Sequence, residues 1–264
     1  MHLHTTALGT SGSRVVFLHG LFGQGRNWHT LGKALAERHR VTLVDLPNHG
    51  RSEWTERIDY AEMADAVAAL LEQGDPVTLV GHSMGGKVAM MVALRHPELV
   101  ESLVVADMSP VRYGAEDEST TGGVLSYAAM LRDLDLSHAP RREDVDALVA
   151  TTVPSATVRG FLLQNLRHRD GGWVWAANID LLARDGAVLA DWPEAELAGT
   201  PPYDGPVLWI AGGESSYVRP EYDDAMRRWF PRYRKVTMKG VGHWVHSERP
   251  ELFRQILEQF LGDA

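Results

Sequence analysis

Residues 77–94 read VTLVGHSMGGKVAMMVAL, an apolar, β-branched run that becomes a helical pattern across one serine set between glycines. Val77, Leu79 and Val80 suit a strand buried on both faces, and the pattern from Met84 onward suits a helix. Gly81 and Gly85 flank Ser83 at Gly-x-Ser-x-Gly spacing, as if two close backbone approaches had to be permitted at the turn. This is the pattern of a nucleophile elbow. A tight strand-to-helix turn holds the serine hydroxyl above a sheet, and the helix N-terminus directs free N–H groups toward developing negative charge. The competing reading of Ser83 is a plain helix cap.

Similar short runs recur along the chain: RVVFLHG at 14–20, RVTLVDL at 40–46, SLVVADM at 102–108, PVLWIAGG at 206–213 and RKVTMKG at 234–240. Helical spacing separates them, with Trp28, Leu31 and Leu35 after the first and Met63, Val67, Leu70 and Leu71 after the second. Leu252, Phe253, Ile256, Leu257, Phe260 and Leu261 give a closing amphipathic helix. The alternation predicts an α/β fold, a mostly parallel sheet flanked by helices. Between about Val111 and Pro202 the strand signals stop, and VLSYAAMLRDL, REDVDALVATTV and ATVRGFLLQNLRH read as helices. The organisation expected is therefore one domain, with a core of about 1–110 and 203–264 and a helical lid at about 111–202. PPYDGP at 201–206 marks the return to the sheet.

The chain has no cysteine, which excludes disulfides, thiolate catalysis and cysteine metal sites. Its net charge of -9 repels phosphate backbones and argues against general nucleic-acid binding. The N-terminal MHLHTTALGTSGS has neither a basic start nor an apolar stretch, and nothing later approaches a membrane span, so a cytoplasmic protein is expected.

A serine nucleophile needs a base. Of twelve histidines, His243 stands out, because KGVGHWVHSERPELF places it in a glycine-flanked loop between the last strand and the closing helix. His82, beside the nucleophile, reads as packing in the elbow, and His39, His96 and His168 read as surface residues near helix ends. His243 and His246 lack the partners that a metal site would need, so no metal is expected. In FLHGLFGQGRNW the loop after the first run offers the Leu21 N–H, which with that of Met84 would form an oxyanion hole. Asp45 ends a strand but reads as structural. Two residues compete to be the acid that orients the base. Asp107 ends an apolar run on the same sheet edge as Ser83, and Glu214 follows the run PVLWIAGG.

HGLFGQGRNW, DLPNHGRS, GHSMGGKVAM, PVRY and GHWVHSERP together resemble the α/β-hydrolases, in particular small bacterial esterases of the YbfF type. The resemblance runs nearly end to end. It implies hydrolysis of carboxylic esters or thioesters, with short to medium acyl groups and acyl-CoA among them, through an acyl-serine intermediate and without a cofactor. Most of the superfamily carries the acid where this chain has Ser215. The YbfF type has a serine there and takes its acid from the preceding strand end, which implies Asp107. Ser215 would then assist near the imidazole, with His82 and Trp244 as further auxiliary residues. The partner expected is a small-molecule acyl ester or thioester substrate, with no nucleic acid and no membrane span. Perhydrolysis or lyase chemistry on the same scaffold, or a binding protein without catalysis, are the alternatives.

Overall fold

The computed structural model describes residues 1–114 and 122–263. Seven strands form one sheet: β1 (Thr5–Leu8), β2 (Arg14–Leu18), β3 (Arg40–Val44), β4 (Val77–His82), β5 (Val100–Ala106), β8 (Val207–Gly212) and β9 (Tyr233–Met238). Their spatial order is β1-β3-β2-β4-β5-β8-β9. Only β1 runs antiparallel, and every other pairing in the sheet is parallel. Around the sheet lie α1 (His29–Leu35), α2 (Tyr60–Leu71), α3 (Met84–Arg95), α9 (Asp223–Trp229), α10 (Val245–Glu248) and α11 (Pro250–Asp263). Between β5 and β8 the chain forms α4 (Gly122–Arg132), α5 (Arg142–Ala150), α6 (Ala156–Leu163), β6 (Leu166–Arg169), β7 (Gly172–Trp175), α7 (Ile179–Asp185) and α8 (Ala187–Ala190).

The central strands are apolar along their whole length because both faces are covered. β4 and β8 are buried at every position. One core unites the α2–α3 side of the sheet with the segment between β5 and β8, and a second joins Val15, Phe17, Val80 and Val104 to Trp28, Phe253, Leu257 and Phe260. Helix starts follow local chemistry: Asp59 Oδ1 accepts from the N–H groups of Ala61 and Glu62 and caps α2.

Three sequence expectations need correction. The helix read through ATVRGFLLQNLRH ends at Leu163, and His168 lies on β6, one strand of a two-stranded hairpin with β7. The turn is Asp170-Gly171, both at positive φ (52° and 82°), as a two-residue hairpin turn requires. The stretch 111–202 is thus not wholly helical. Leu252 is exposed on α11, so the inward stripe is Phe253, Leu257 and Phe260, with Ile256 and Leu261 packed against the same core. β1, half exposed at the sheet edge, carries too little apolar signal to be read from the sequence. Residues 115–121, between PVRY and the start of α4, lie outside the described residues.

Candidate active site

The parallel strands deliver their following loops to one carboxyl edge, and the candidate residues gather there. Ser83 stands between β4 and α3 at φ 53° and ψ -121°, a strained conformation for a residue with a side chain. The turn closes only without side chains beside it. A Cβ on Gly81 would stand 2.2 Å from the Gly85 carbonyl oxygen, and one on Gly85 would stand 2.5 Å from that of His19. The two close approaches that the sequence asked for are therefore backbone-to-backbone contacts.

Asp107 follows β5, is fully buried, and also has a positive φ, 51°. Its Oδ2 accepts from His243 Nδ1 at 2.8 Å and from the Ser215 hydroxyl, and its Oδ1 accepts from the Gly212 N–H at 2.8 Å. With Nδ1–H committed to the carboxylate, Nε2 is the ring nitrogen that remains for Ser83 across the cleft that both residues line. No direct hydrogen bond joins Ser83 to His243, though both line the cleft. Glu214 is exposed, and its backbone N–H donates to the Val241 carbonyl; the structure does not bring its carboxylate to the imidazole. Ser215 Oγ also accepts from the Tyr217 N–H at 3.3 Å.

Leu21 and Met84 line the same cleft as Ser83 and His243. Their backbone N–H groups make no hydrogen bond to the described residues. The loop that carries Leu21 is held from two sides. Phe22, at φ 60°, donates its N–H to His49 Nε2, and its carbonyl accepts from Asn165 Nδ2 at 2.8 Å. Asn165 is buried in the segment between β5 and β8, and its Oδ1 accepts from Gln24 Nε2. Tyr217 lies over the His243 ring with centroids 4.0 Å apart, and its carbonyl is fixed by the hydroxyls of Ser109 and Tyr113, each at 2.8 Å. Trp244 and Phe161 close the cleft on the His243 side. No short motif marks Asn165 or Tyr217, and His49, though it lies within DLPNHGRS, has its Phe22 partner 27 residues away.

Four histidines around the site are held neutral. His19 and His49 accept backbone N–H groups at Nε2, from Leu46 and Phe22, and donate from Nδ1 to the carbonyls of Gly20 and Pro47. Burial lowers the pKa of both, His49 to about 3. His82 donates from Nε2 to the His243 carbonyl, and burial, followed by the neighbouring His246 and His243, lowers its pKa well below the usual value. His246 packs its ring against Trp28, His82 and Phe253, with Nδ1 shut off from water and unpartnered among the described residues. Burial holds it to about 3. A histidine whose folded pKa lies below its unfolded value binds fewer protons folded than unfolded, so stability falls as pH drops below about 6.5. For His49 and His246 the loss at pH 5 is about 2 kcal/mol each. Denaturant midpoints should therefore fall between pH 7.5 and pH 5, and His246→Leu should flatten that decline; an equal acid slope in the variant would contradict the assignment.

The family model described as alpha/beta hydrolase fold matches residues 13–250. The chain belongs to the α/β-hydrolases. This α/β-hydrolase is 38% identical over 255 residues to the sn-1-specific diacylglycerol lipase ABHD11 of Mus musculus, covering 94% of this chain and 80% of the mouse protein. It is 31% identical over 253 residues to Esterase YbfF of Escherichia coli, covering 95% of this chain and 94% of that protein. A solved structure described as a marine microorganism esterase superposes with a TM-score of 0.92 at 30% identity, covering 98% of both chains. Relatives named as esterases and lipases support a hydrolase. Among the described residues no helix is long and apolar enough to cross a membrane, and no group of three or more histidine or acidic side chains is placed to hold a metal ion.

Proposed function

We propose that this α/β-hydrolase cleaves carboxylic esters, and by the same attack thioesters, through an acyl-serine intermediate. The observation that carries the reading is the His243–Asp107 pair set across one apolar cleft from Ser83, whose backbone is strained and whose hydroxyl makes no hydrogen bond to the described residues. Ser83 Oγ attacks the acyl carbonyl while His243 Nε2 takes its proton, and Asp107 holds the imidazole orientation and stabilises the imidazolium. The Leu21 and Met84 N–H groups receive the oxyanion, each such donor being worth about 3 kcal/mol to the transition state. Imidazolium then protonates the leaving oxygen or sulfur. Water, activated by the same nitrogen, attacks the acyl-serine and releases the acid. The segment at about 111–202 acts as the lid of this single domain, since its Phe161, Leu189 and Ala190 reach the cleft. Ester hydrolysis is supported by the esterase and lipase names of the relatives as well as by the site.

The test is cleavage of p-nitrophenyl esters across pH. Protonated imidazole cannot accept the serine proton, so kcat/KM should fall on the acid side with a slope of one proton, and His243→Ala should abolish turnover. A folded His243→Ala variant that keeps both rate and pH profile would overturn the base assignment. A chain that binds esters without turnover would instead be a ligand-binding member of the family.

A further inference from the structure

Lys87 sits one helical turn after Ser83 on α3 and is fully buried. A buried ammonium is normally paired with a carboxylate. Here its Nζ instead donates to three successive carbonyls at the C-terminal end of α8: Leu189 at 3.3 Å, Ala190 at 3.0 Å and Asp191 at 2.5 Å. Two further groups hold the same turn. The Tyr60 hydroxyl donates to the Leu189 carbonyl at 3.0 Å, and the Tyr113 N–H donates to that of Ala190 at 2.9 Å. The ammonium also lies over the rings of Tyr113 and Tyr60, 4.8 and 5.7 Å from their centroids. Leu189, Ala190 and Tyr113 all line the cleft that contains Ser83.

We propose that Lys87 determines substrate length, by tying the α8 turn to the nucleophile helix so that Leu189 and Ala190 form a fixed end wall of the cleft. Lys87 is a positioning residue, and the proposal rests on the ester-hydrolase reading. The chemistry favours an ammonium here because it alone among aliphatic side chains offers three donors from one atom to three converging carbonyls. An apolar substitute of equal length leaves those carbonyls without their donor in a buried place. The turn then recovers its hydrogen bonds by moving toward water. A four-residue helix has little packing of its own to resist that movement.

Protonation provides a second handle. Burial lowers the Lys87 pKa to about 7, with Asp191 opposing the shift. The groups that face it are Tyr60 from α2, Tyr113 from the loop after β5, and Asp191 beyond α8, which has Arg112 3.8 Å away. Burial raises both phenols and keeps them protonated. Loss of the Lys87 proton leaves two N–H groups for three carbonyls.

The experiment compares wild type, Lys87→Met and Tyr60→Phe on p-nitrophenyl esters from acetate to decanoate and on acetates of straight-chain alcohols, with hydrogen exchange at the Leu189 and Asp191 amides. These amides are bonded to the Gly186 and Val188 carbonyls and report the α8 turn directly. One methylene in an apolar pocket is worth about tenfold or more in discrimination, so Lys87→Met should move the kcat/KM ratio of long to short substrates on the order of tenfold toward the long ones. Exchange at both amides should rise. Tyr60→Phe should act in the same direction with a smaller change. In wild type the ratio should drift toward long substrates from pH 6 to 8.5 and stay flat in Lys87→Met, because the shared base cancels in a ratio. An unchanged length profile in folded Lys87→Met, or unchanged exchange, overturns the proposal. If that variant does not fold, a flat wild-type pH ratio together with an unaltered Tyr60→Phe profile overturns it. If no ester is cleaved, the ester-hydrolase reading fails, while exchange at the two amides still decides whether Lys87 holds the turn.

Discussion

Ser83→Ala is expected to reduce ester hydrolysis by about 10³-fold or more, because a triad acts as a unit and the remaining oxyanion donors and binding surface cannot supply a nucleophile. The fold should survive. The Ser83 hydroxyl faces the cleft, and the turn is set by the glycine contacts of Gly81 and Gly85 and by the Ser83 N–H donating to the Ala106 carbonyl, all of which alanine retains. A shift in Tm of no more than about 1–2 °C is expected for such a change. Steady-state kinetics and a thermal melt on the same preparation check both halves. Near wild-type activity in a folded variant would remove Ser83 from the mechanism.

Asp107→Asn is expected to cost about 10⁴ in turnover, the size of the loss when a serine-protease acid is changed in this way. The amide keeps the shape of the carboxylate but lacks the charge that stabilises imidazolium. Its NH₂ can also impose the wrong imidazole tautomer. Ser215→Ala should have a smaller effect, since Oγ touches the carboxylate rather than the imidazole, and two other donors still hold Asp107 in place. Glu214→Gln should change turnover by no more than about twofold, as is usual for an exposed side chain away from the reacting groups. The three variants measured on one ester give the ranking. A near-lethal Glu214→Gln beside an active Asp107→Asn would reverse the acid assignment.

The sequence made much of the sheet legible because six of its seven strands fall in short runs rich in apolar residues, most continuous in the central strands that are covered on both faces. β1 escaped because an edge strand of TTAL with two exposed positions carries no such signature. The β6–β7 hairpin escaped for another reason. ATVRGFLLQNLRH spaces its apolar residues as a helix does, and the Asp170-Gly171 turn that marks a hairpin lies beyond its end. Ser83 and His243 could be placed from local context, since each lies in a glycine-flanked loop beside a strand. The partner of His243 stayed open between Asp107 and Glu214, because orientation of an imidazole is a matter of distance in space. Lys87 shows the same limit. It reads as one more position of a helix, and its partners lie 102 to 104 residues away.

Labelling with a fluorophosphonate, followed by intact mass and peptide mapping, tests the acyl-serine reading most directly, because the probe captures only a serine that is activated as a nucleophile. One adduct per chain on Ser83, absent from Ser83→Ala and strongly slowed in His243→Ala, is the expected result. Ester turnover by a chain that takes no adduct, or takes it at another residue, would contradict it.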